Sequence, residues 1–257
     1  MSKPGAISDE ARARTRERFE ALRAAWRGNE ALRALYKEWY GRMAAALPDP
    51  ALGPWIELGS GPGFAKEFLP EVELTDIVQA PWHAREVSAE ALPYADASCG
   101  AFLLLDVLHH LSSPVRFFQE ATRALRPGGR IVICEPYIGA LSYLVYHFLH
   151  PEPVELGVDS FADFVVEGGD PWDSNQAVPT LLFSPRRRDE WHRHVPGLDI
   201  LRVDRFAGLS YPLTGGFSGR PWLPFPAWRL VHRLEGPLVR ALPWVGAFRM
   251  LVVLAKR

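Results

Sequence analysis

The chain contains little cysteine and almost no net charge, and each shortage excludes a class of function. Only two of its 257 residues are cysteines, Cys99 and Cys134, and both lie in or beside apolar runs that predict buried strands. We therefore expect neither a disulfide framework nor a cysteine metal site. Lysine and arginine total 29 against 30 acids, which leaves a net charge of −1. Without a positive field to gather polyanions, a nucleic-acid partner is disfavoured.

Long apolar runs are also missing. The most apolar segments, 137–150 and 241–255, are too short to cross a bilayer or are interrupted by polar residues such as Arg249. The first ten residues lack the basic segment followed by an apolar one that marks a secretory signal. We therefore expect a cytoplasmic protein with no integral membrane segment. Hydrophobic residues make up 48% of the chain, enough for one substantial core in an α/β fold.

The most informative stretch is residues 55–64, which read Trp-Ile-Glu-Leu-Gly-Ser-Gly-Pro-Gly-Phe. An apolar run ending in an acid, a turn with three glycines and a helix-like continuation predict a strand, a turn and a helix start. Glycines at such a turn allow positive φ and let a ligand approach the backbone. A dinucleotide-binding turn requires its third glycine at position 64, where this chain has Phe64. Nicotinamide oxidoreduction is therefore disfavoured.

Further motifs occur in the order that a doubly wound sheet requires. Residues 73–78 predict a second strand that carries Asp76, 17 residues after Gly59. Sheets of this kind place an acid near that distance to accept hydrogen bonds from ribose hydroxyls. Residues 101–111 form an apolar run that ends in polar side chains. This pattern is typical of a buried parallel strand whose carboxyl end reaches a ligand crevice.

These motifs resemble those of the class I S-adenosylmethionine-dependent methyltransferases, in their small-molecule branch. The similarity comprises the Glu-x-Gly-x-Gly-x-Gly turn, the segment 87–94, the Asp-Val-Leu-His-His-Leu of 106–111 and a Leu-x-Pro-Gly-Gly turn before a strand over 131–136. The resemblance implies an α/β, Rossmann-like doubly wound fold. Its seven-stranded sheet would be mostly parallel with an antiparallel last strand, with added N-terminal helices and a C-terminal insertion. It also implies S-adenosylmethionine as the cofactor.

The resemblance assigns cofactor-binding positions as well. They come after the ends of the first four predicted strands: Glu57, Gly59, Ser60, Gly61, Gly63, Asp76, Ser88, Ala89, Glu90, Asp106 and Val107. Two positions depart from the family's pattern, because Ser88 and Gly100 stand where relatives carry aspartate. A neutral hydroxyl makes a weaker bond to the adenine edge than a carboxylate does. These departures leave open an alternative, a regulatory or scaffolding protein that binds the cofactor without methyl transfer.

Methyl transfer from a sulfonium is an in-line displacement. The protein mainly positions donor and acceptor and, if the acceptor is a hydroxyl, removes its proton. We expect O-methylation of a small-molecule acceptor. A base must lie at the carboxyl end of the sheet, which favours His109 and His110, and after them Glu135 and Tyr137. A histidine at this position also recurs in the family as a packing residue, and the close histidine pairs elsewhere lack nearby cysteines, so no metal site is predicted.

The sequence divides into two parts. Residues 1–47 are predicted to form an N-terminal helical cap, and residues 48–257 the cofactor-binding domain, with insertions at about 138–185 and 207–246. Insertions after strands are where substrate-specific elements tend to lie. The first insertion has seven acids and no lysine or arginine between 151 and 173. It is either a solvated acidic face or a site for a cationic or polyhydroxylated substrate.

Aromatic residues in the cap and in the second insertion each have two interpretations. The apolar stripe of the helix that Asn29 caps either packs on the sheet or brings Tyr36, Trp39 or Tyr40 to the substrate. The second insertion is rich in tryptophan and has an amphipathic helix predicted over 227–242. It either forms an aromatic wall for a hydrophobic acceptor or is buried against a second copy in a homodimer.

Overall fold

The computed structural model describes residues 7–164, 172, 174–217 and 219–257. The strands are β1 (Trp55–Leu58), β2 (Glu73–Asp76), β3 (Arg85–Glu86), β4 (Cys99–Leu105), β5 (Leu125–Pro136), β6 (Leu198–Phe206) and β7 (Arg249–Lys256). Among these residues they form one seven-stranded sheet in the order β3-β2-β1-β4-β5-β7-β6. Strands β1 to β5 are parallel, and β7 runs antiparallel to both β5 and β6. The predicted doubly wound fold with an antiparallel last strand is confirmed.

Helices flank this sheet. Those described are α1 (Asp9–Gly28), α2 (Glu30–Ala44), α3 (Pro114–Ala124), α4 (Ala140–Leu149), α5 (Val178–Leu182), α6 (Arg188–His194), α7 (Phe225–Ala241) and α8 (Pro243–Gly246). Helix α2 begins as predicted, because the Asn29 side-chain oxygen accepts a hydrogen bond from the Leu32 amide at 3.0 Å. Within the described part of the chain, none of the helices has the length and apolar character needed to span a membrane.

The core lies on both faces of the sheet, since the central strands are apolar on both sides. Successive residues of β4 point to opposite faces, so Phe102 packs on one side and Leu103 on the other. Phe118 of α3 belongs to the first side, and Trp39 of α2 to the second. Helix α2 shares its core with the sheet. Its apolar stripe therefore packs on the sheet, which is the first of the two interpretations given for it. The division at residue 47 stays a prediction.

The segment directly after the glycine turn differs from expectation. Instead of a full helix, a single 3₁₀ turn covers Phe64–Glu67. Pro70 explains the difference, because a proline disfavours helical conformation in the residue before it and cannot continue a helix. The Phe64 ring stacks on Trp26 of α1 with ring centroids 4.1 Å apart. Helix α1 therefore packs beside the 3₁₀ turn.

Candidate cofactor and acceptor site

A cavity of about 690 Å³ opens at the carboxyl ends of β1, β4 and β5, the edge at which doubly wound sheets bind ligands. Aromatic and aliphatic side chains form much of its wall: Leu32, Tyr36, Tyr40, Phe64, Tyr146, Leu149, Tyr211, Leu213, Phe217 and Trp222. Charged and titratable side chains also line it: Arg18, Glu57, Asp106, His109, His110, His150, Glu152 and Arg249. A mostly apolar cleft with a few convergent polar groups is the usual form of a small-molecule site.

The predicted cofactor-binding residues fall into two groups. Glu57, Gly59, Ser60, Gly61 and Asp106 line the cavity. The remaining six, Gly63, Asp76, Ser88, Ala89, Glu90 and Val107, are not among its lining residues. Gly59 and Gly61 of the turn therefore line the cavity, whereas Asp76, predicted for the ribose, and Ser88, predicted for the adenine edge, lie outside it. The role of these outer residues stays a prediction.

The glycines of the turn all have positive φ, but for different reasons. At Gly59 an added Cβ would lie 2.6 Å from the Val107 side chain, and at Gly63 it would lie 2.6 Å from the Trp82 ring. Both glycines are therefore required by the protein's own packing. At Gly61 the nearest side-chain atom lies at 3.6 Å, so a Cβ has room and only the φ of +47° disfavours it. Of the three, Gly61 leaves the most open space.

Glu57 places a buried carboxylate at the start of this turn. Its Oε1 accepts a hydrogen bond from the Tyr40 hydroxyl at 2.8 Å. Its Oε2 is buried and has no hydrogen-bond partner among the described residues. Burial raises the pKa of Glu57 to about 7, although the bond from Tyr40 opposes that shift. An unpartnered buried carboxylate oxygen suits a cationic donor, so this end of the cavity fits the ammonium group of a methionine moiety.

Asp76 makes hydrogen bonds within the protein. One carboxylate oxygen accepts from the Gly61 amide at 2.8 Å and the other from the Val78 amide at 2.9 Å. The pKa of Asp76 is raised to about 6, and burial is the largest cause of this rise. The Gly61 carbonyl in turn accepts from Trp82 Nε1 at 2.7 Å, and the Phe19 ring of α1 packs beside Trp82. Asp76 can reach a ribose only by exchanging these bonds.

The predicted adenine-reading segment also has internal partners. The Glu90 carboxylate accepts from the Ser112 hydroxyl at 2.9 Å and from the Ser113 amide at 2.7 Å, directly before α3. The Ser88 hydroxyl accepts from the Glu90 amide at 3.3 Å. The other departure, Gly100, has a packing reason. An added Cβ there would lie 2.7 Å from the Gly53 carbonyl oxygen, so the relatives' aspartate would not fit.

His109 lies between two carboxylates. Its Nδ1 is 2.5 Å from Glu135 Oε2, and its Nε2 is 3.4 Å from Glu152 Oε2. Burial lowers the pKa of His109, but the two carboxylates together outweigh it and bring the pKa to about 10. The two carboxylates therefore favour the protonated form of the imidazole. A protonated imidazole donates hydrogen bonds, and the general-base role predicted for His109 stays a prediction.

The other predicted catalytic residues occupy different positions. Glu135 is fully buried, and its Oε1 accepts from the Val107 and Leu108 amides, both at 2.7 Å. It therefore fixes the loop after β4 and orients His109. Tyr137 is outside the cavity lining, whereas His110 is part of it. Their catalytic roles stay predictions, and among the predicted candidates His110 has the most direct access to a ligand.

A second buried charge pair joins β4 to β7. Arg249 Nη2 lies 2.5 Å from Asp106 Oδ1, and the Arg249 guanidinium lies 4.4 Å from the centroid of the Trp39 ring. Arg249 is almost fully buried, while the Asp106 side chain keeps 30% of its surface exposed. Asp106 has a φ of +58°, which turns the chain out of β4 and into the cavity.

Sequence reasoning did not assign several lining residues to the site. In the sequence, Glu152 is one of seven acids in the segment 151–173, and Arg249 is a polar residue within an apolar segment. Of the acidic segment, residues 165–171 and 173 lie outside the described residues. Glu152, in contrast, lies in the cavity wall and not on a solvated face. No sequence pattern identifies Glu152 as a site residue, because the sequence does not show that the segment after α4 lies next to His109.

Comparison with known proteins gives a family match to part of the chain. Residues 57–133 match the family described as "Methyltransferase domain". Over 140 residues the chain is 26% identical to a demethylmenaquinone methyltransferase of Beutenbergia cavernae, covering 51% of this chain. The matched part spans 58% of that relative's length.

A solved structure shares the fold. An S-adenosylmethionine-dependent methyltransferase from Archaeoglobus fulgidus aligns with a TM-score of 0.51 at 12% identity, covering 88% of this chain and 94% of that one. One from Mesorhizobium loti aligns with a TM-score of 0.45 at 16% identity, covering 86% and 98% of the two chains. The predicted class I methyltransferase fold is confirmed, and the match of residues 57–133 to a methyltransferase domain agrees with the predicted cofactor, S-adenosylmethionine.

Proposed function

We propose that this class I methyltransferase domain transfers the methyl group of S-adenosylmethionine to an oxygen of a small-molecule acceptor. The observation that carries the proposal is the unpartnered Oε2 of Glu57, which is buried beside the glycine turn in a cavity of about 690 Å³. Burying a polar atom without a hydrogen-bond partner costs free energy, and a bound ligand would supply the missing partner.

The charges around the cavity suit the cofactor. When bound, S-adenosylmethionine supplies an electrophilic methyl group on a sulfonium. Glu57 would accept a hydrogen bond from the ammonium group of its methionine end. Asp106 and Glu152 line the same walls but are already paired with Arg249 and His109, so Glu57 offers the acceptor oxygen for the cationic end of the ligand. Tyr36 and Tyr40 cover the turn from α2 and keep water away from Glu57.

The nucleoside end requires a local rearrangement. Asp76 would bond the ribose hydroxyls after releasing the Gly61 amide. Phe19 and Trp82, which pack beside that amide, would have to move apart. Both lie on the side of the turn that α1 covers, so ligand binding is coupled to the position of α1.

The acceptor would occupy the rest of the cavity. Tyr146, Tyr211 and Trp222 offer apolar and aromatic surface, and the carboxylate of Glu152 and the ring of His110 offer polar contacts. An acceptor with an aromatic or aliphatic body and a hydroxyl group matches this lining. Enclosing walls of this kind favour a small molecule over a polymer.

A second candidate function is methyl transfer to the ring of a quinol-like acceptor. The relative from Beutenbergia cavernae is named for demethylmenaquinone, and the apolar wall here suits such a ring. The third candidate, cofactor binding without methyl transfer, rests on Ser88 and on the protein-internal bonds of Asp76.

The test is ligand-induced stabilisation and then product analysis. S-adenosylmethionine should raise the melting temperature of the purified protein, and Gly61→Arg should abolish the rise. Gly128→Arg is the matched control, because Gly128 also has positive φ but lies outside the cavity lining. Mass spectrometry of an acceptor library should then detect methylated products, and the methylated atom separates the oxygen from the carbon hypothesis. A rise without any product would support the binding protein, and no rise in the parent protein would refute all three.

A further inference from the structure

Histidines and acids lie close together in one wall of the cavity. One ligand atom each of His109, His110 and Glu152 lie within 4.8 Å of one another. His109 Nε2 and Glu152 Oε2 are 3.4 Å apart, a long distance for a hydrogen bond. Two ligands bound to the same tetrahedral ion at 2.0–2.1 Å lie about 3.4 Å apart. The spacing therefore matches shared ligation of an ion.

Surrounding groups support the same conclusion. Metal-binding histidines usually donate their other ring N–H to a carboxylate, which orients the ring. Here His109 Nδ1 lies 2.5 Å from Glu135, which is fixed by two backbone amides. Gln176 Nε2 donates to Glu152 Oε2 at 2.6 Å and orients the third ligand. Each of these supporting contacts is expected around a bound ion.

We propose that His109, His110 and Glu152 form a binding site for a divalent transition-metal ion of the zinc or iron(II) class. Two histidines and one carboxylate are a common ligand set for these ions and leave positions open for a further ligand. The ion would bind His109 at Nε2, the ring nitrogen that faces Glu152. All three residues line the cavity, so the open positions face its interior. That an acceptor oxygen occupies one of them rests on the proposed function.

Metal binding can be tested without cofactor or acceptor. Protein freed of metal with a chelator is titrated with Zn²⁺ by calorimetry, and with Co²⁺ as a visible-absorption probe. We expect one ion per chain, and a loss of affinity of at least about tenfold in Glu152→Gln and in His110→Ala. Gly61→Arg should still bind Zn²⁺, which separates this proposal from the failure of cofactor binding.

Two exposed residues provide matched controls. Glu155→Gln removes a carboxylate three positions further along, and His147→Ala removes a surface histidine of α4. Both should bind Zn²⁺ as the parent protein does. Undetectable binding by the parent protein would overturn the proposal. So would an equal loss of affinity in His147→Ala, because the ion would then lie on the helix surface.

The outer face of α7, away from the cavity wall just described, carries a row of exposed leucines. Leu230, Leu234, Leu238 and Leu242 recur every four residues along and just beyond this helix, and each exposes between 51% and 71% of its surface. Trp228, on another side of the same helix, is buried. A row of leucines exposed in the described structure is unusual for a helix that packs on a core and marks an interaction surface.

Basic residues flank this row. Arg229, Arg233 and Arg240 are exposed. At 3.6 residues per turn the three fall within about 40° of one another, on one side of the leucine row. The single acid of the helix, Glu235, is largely buried and accepts hydrogen bonds from the Gly208 and Ser210 amides. The outer face is therefore apolar with a purely cationic flank.

The apolar surface continues towards the cavity. Both α4 and α7 pack against α8, whose Trp244 is 63% exposed. Phe148 and Leu149 of α4 are each 70% exposed. Leu149 also lines the cavity, as does the exposed Trp222. The leucine row is thus linked through neighbouring helices to the cavity mouth.

We infer that this face docks on an anionic lipid bilayer. Leucines beside an arginine flank have the composition of helices that lie in the membrane interface, where the leucines enter the acyl boundary and the arginines contact anionic headgroups. A second copy of the chain would instead bring two arginine flanks towards each other. The orientation also brings the cavity mouth to the lipid, which suits an apolar acceptor if the proposed function holds.

Vesicle cosedimentation tests this surface. The full chain should bind vesicles containing phosphatidylglycerol more strongly than phosphatidylcholine vesicles, and less strongly at high salt. Each of Arg229→Gln and Arg233→Gln should weaken binding about fivefold. Leu234→Glu should weaken it further, while Leu201→Glu, which alters an exposed leucine of β6, should have no effect.

Cofactor binding is measured in the same variants by thermal shift, so that loss of membrane binding is separated from loss of the proposed function. Absence of binding to anionic vesicles would overturn the inference. A stable dimer in solution that Leu234→Glu dissociates would also overturn it, because the leucine row would then be a subunit interface.

Discussion

Replacing Glu57 by glutamine should change stability and cofactor binding in opposite directions. The carboxyl group is buried, and its pKa of about 7 lies above the ordinary value of 4.5. The folded protein therefore binds a proton that the unfolded chain releases between these pH values. Stability falls as the pH rises from about 4.5 to 7, and the full cost remains above pH 7.

The size of this effect can be worked out from the shift in pKa. Each pKa unit corresponds to 1.36 kcal/mol, so ionised Glu57 costs up to about 3 kcal/mol at pH 8. Glutamine keeps an oxygen to accept from Tyr40 and leaves a neutral donor unbonded, as the protonated carboxyl does, so the gain at pH 8 is up to about 3 kcal/mol. Glu57→Gln should therefore melt several degrees higher than the parent protein at pH 8. The difference should vanish near pH 4.5.

Cofactor affinity should decrease in the same variant. A hydrogen bond to a charged group contributes about 1.5–3 kcal/mol, so Kd for S-adenosylmethionine should increase about 10- to 150-fold at pH 8. Calorimetry measures this Kd, and urea titration at several pH values measures the stability. Glu71→Gln, at an exposed position, should change neither. An unchanged Kd would refute the role of Glu57, and an unchanged stability at pH 8 would refute its raised pKa.

Three further predictions concern packing and charge. Arg249→Met should lower the free energy of unfolding by about 3–5 kcal/mol because Asp106 is left unpaired, and adding Asp106→Asn should restore most of it in urea titrations. Asn29→Ala should cost about 2 kcal/mol through the lost cap of α2, and retained stability would show that this cap contributes little. Phe19→Ala should lower the melting temperature without weakening S-adenosylmethionine binding, since the ring covers Trp82; weaker binding would show that Phe19 contacts the ligand.

Much of the sheet could be predicted from local patterns. The glycine turn, the buried run of β4 and the proline that starts α3 each depend on neighbouring residues, so their positions can be read from the sequence. The antiparallel last strand was available only through resemblance, because its pairing with β5 joins segments far apart in the chain. The missing helix after Gly63 had a local cause, Pro70, which the apolar pattern concealed.

The site was less predictable because it depends on contacts between distant segments. Glu57 could be assigned from its place before the turn, but its unpartnered oxygen and raised pKa appear only once Tyr40 and the cavity are in position. The roles of His109 and Glu152 depend on a contact between the end of β4 and the segment after α4. No periodicity in one sequence reports such a contact.

The most direct test of the cofactor site is a crystal structure of the protein with S-adenosylhomocysteine. The amino group of the ligand should lie within hydrogen-bonding distance of Glu57 Oε2, with its chain along Gly59 and Gly61. A cavity that remains empty at saturating ligand, or a ligand whose amino group contacts another residue, would contradict this assignment.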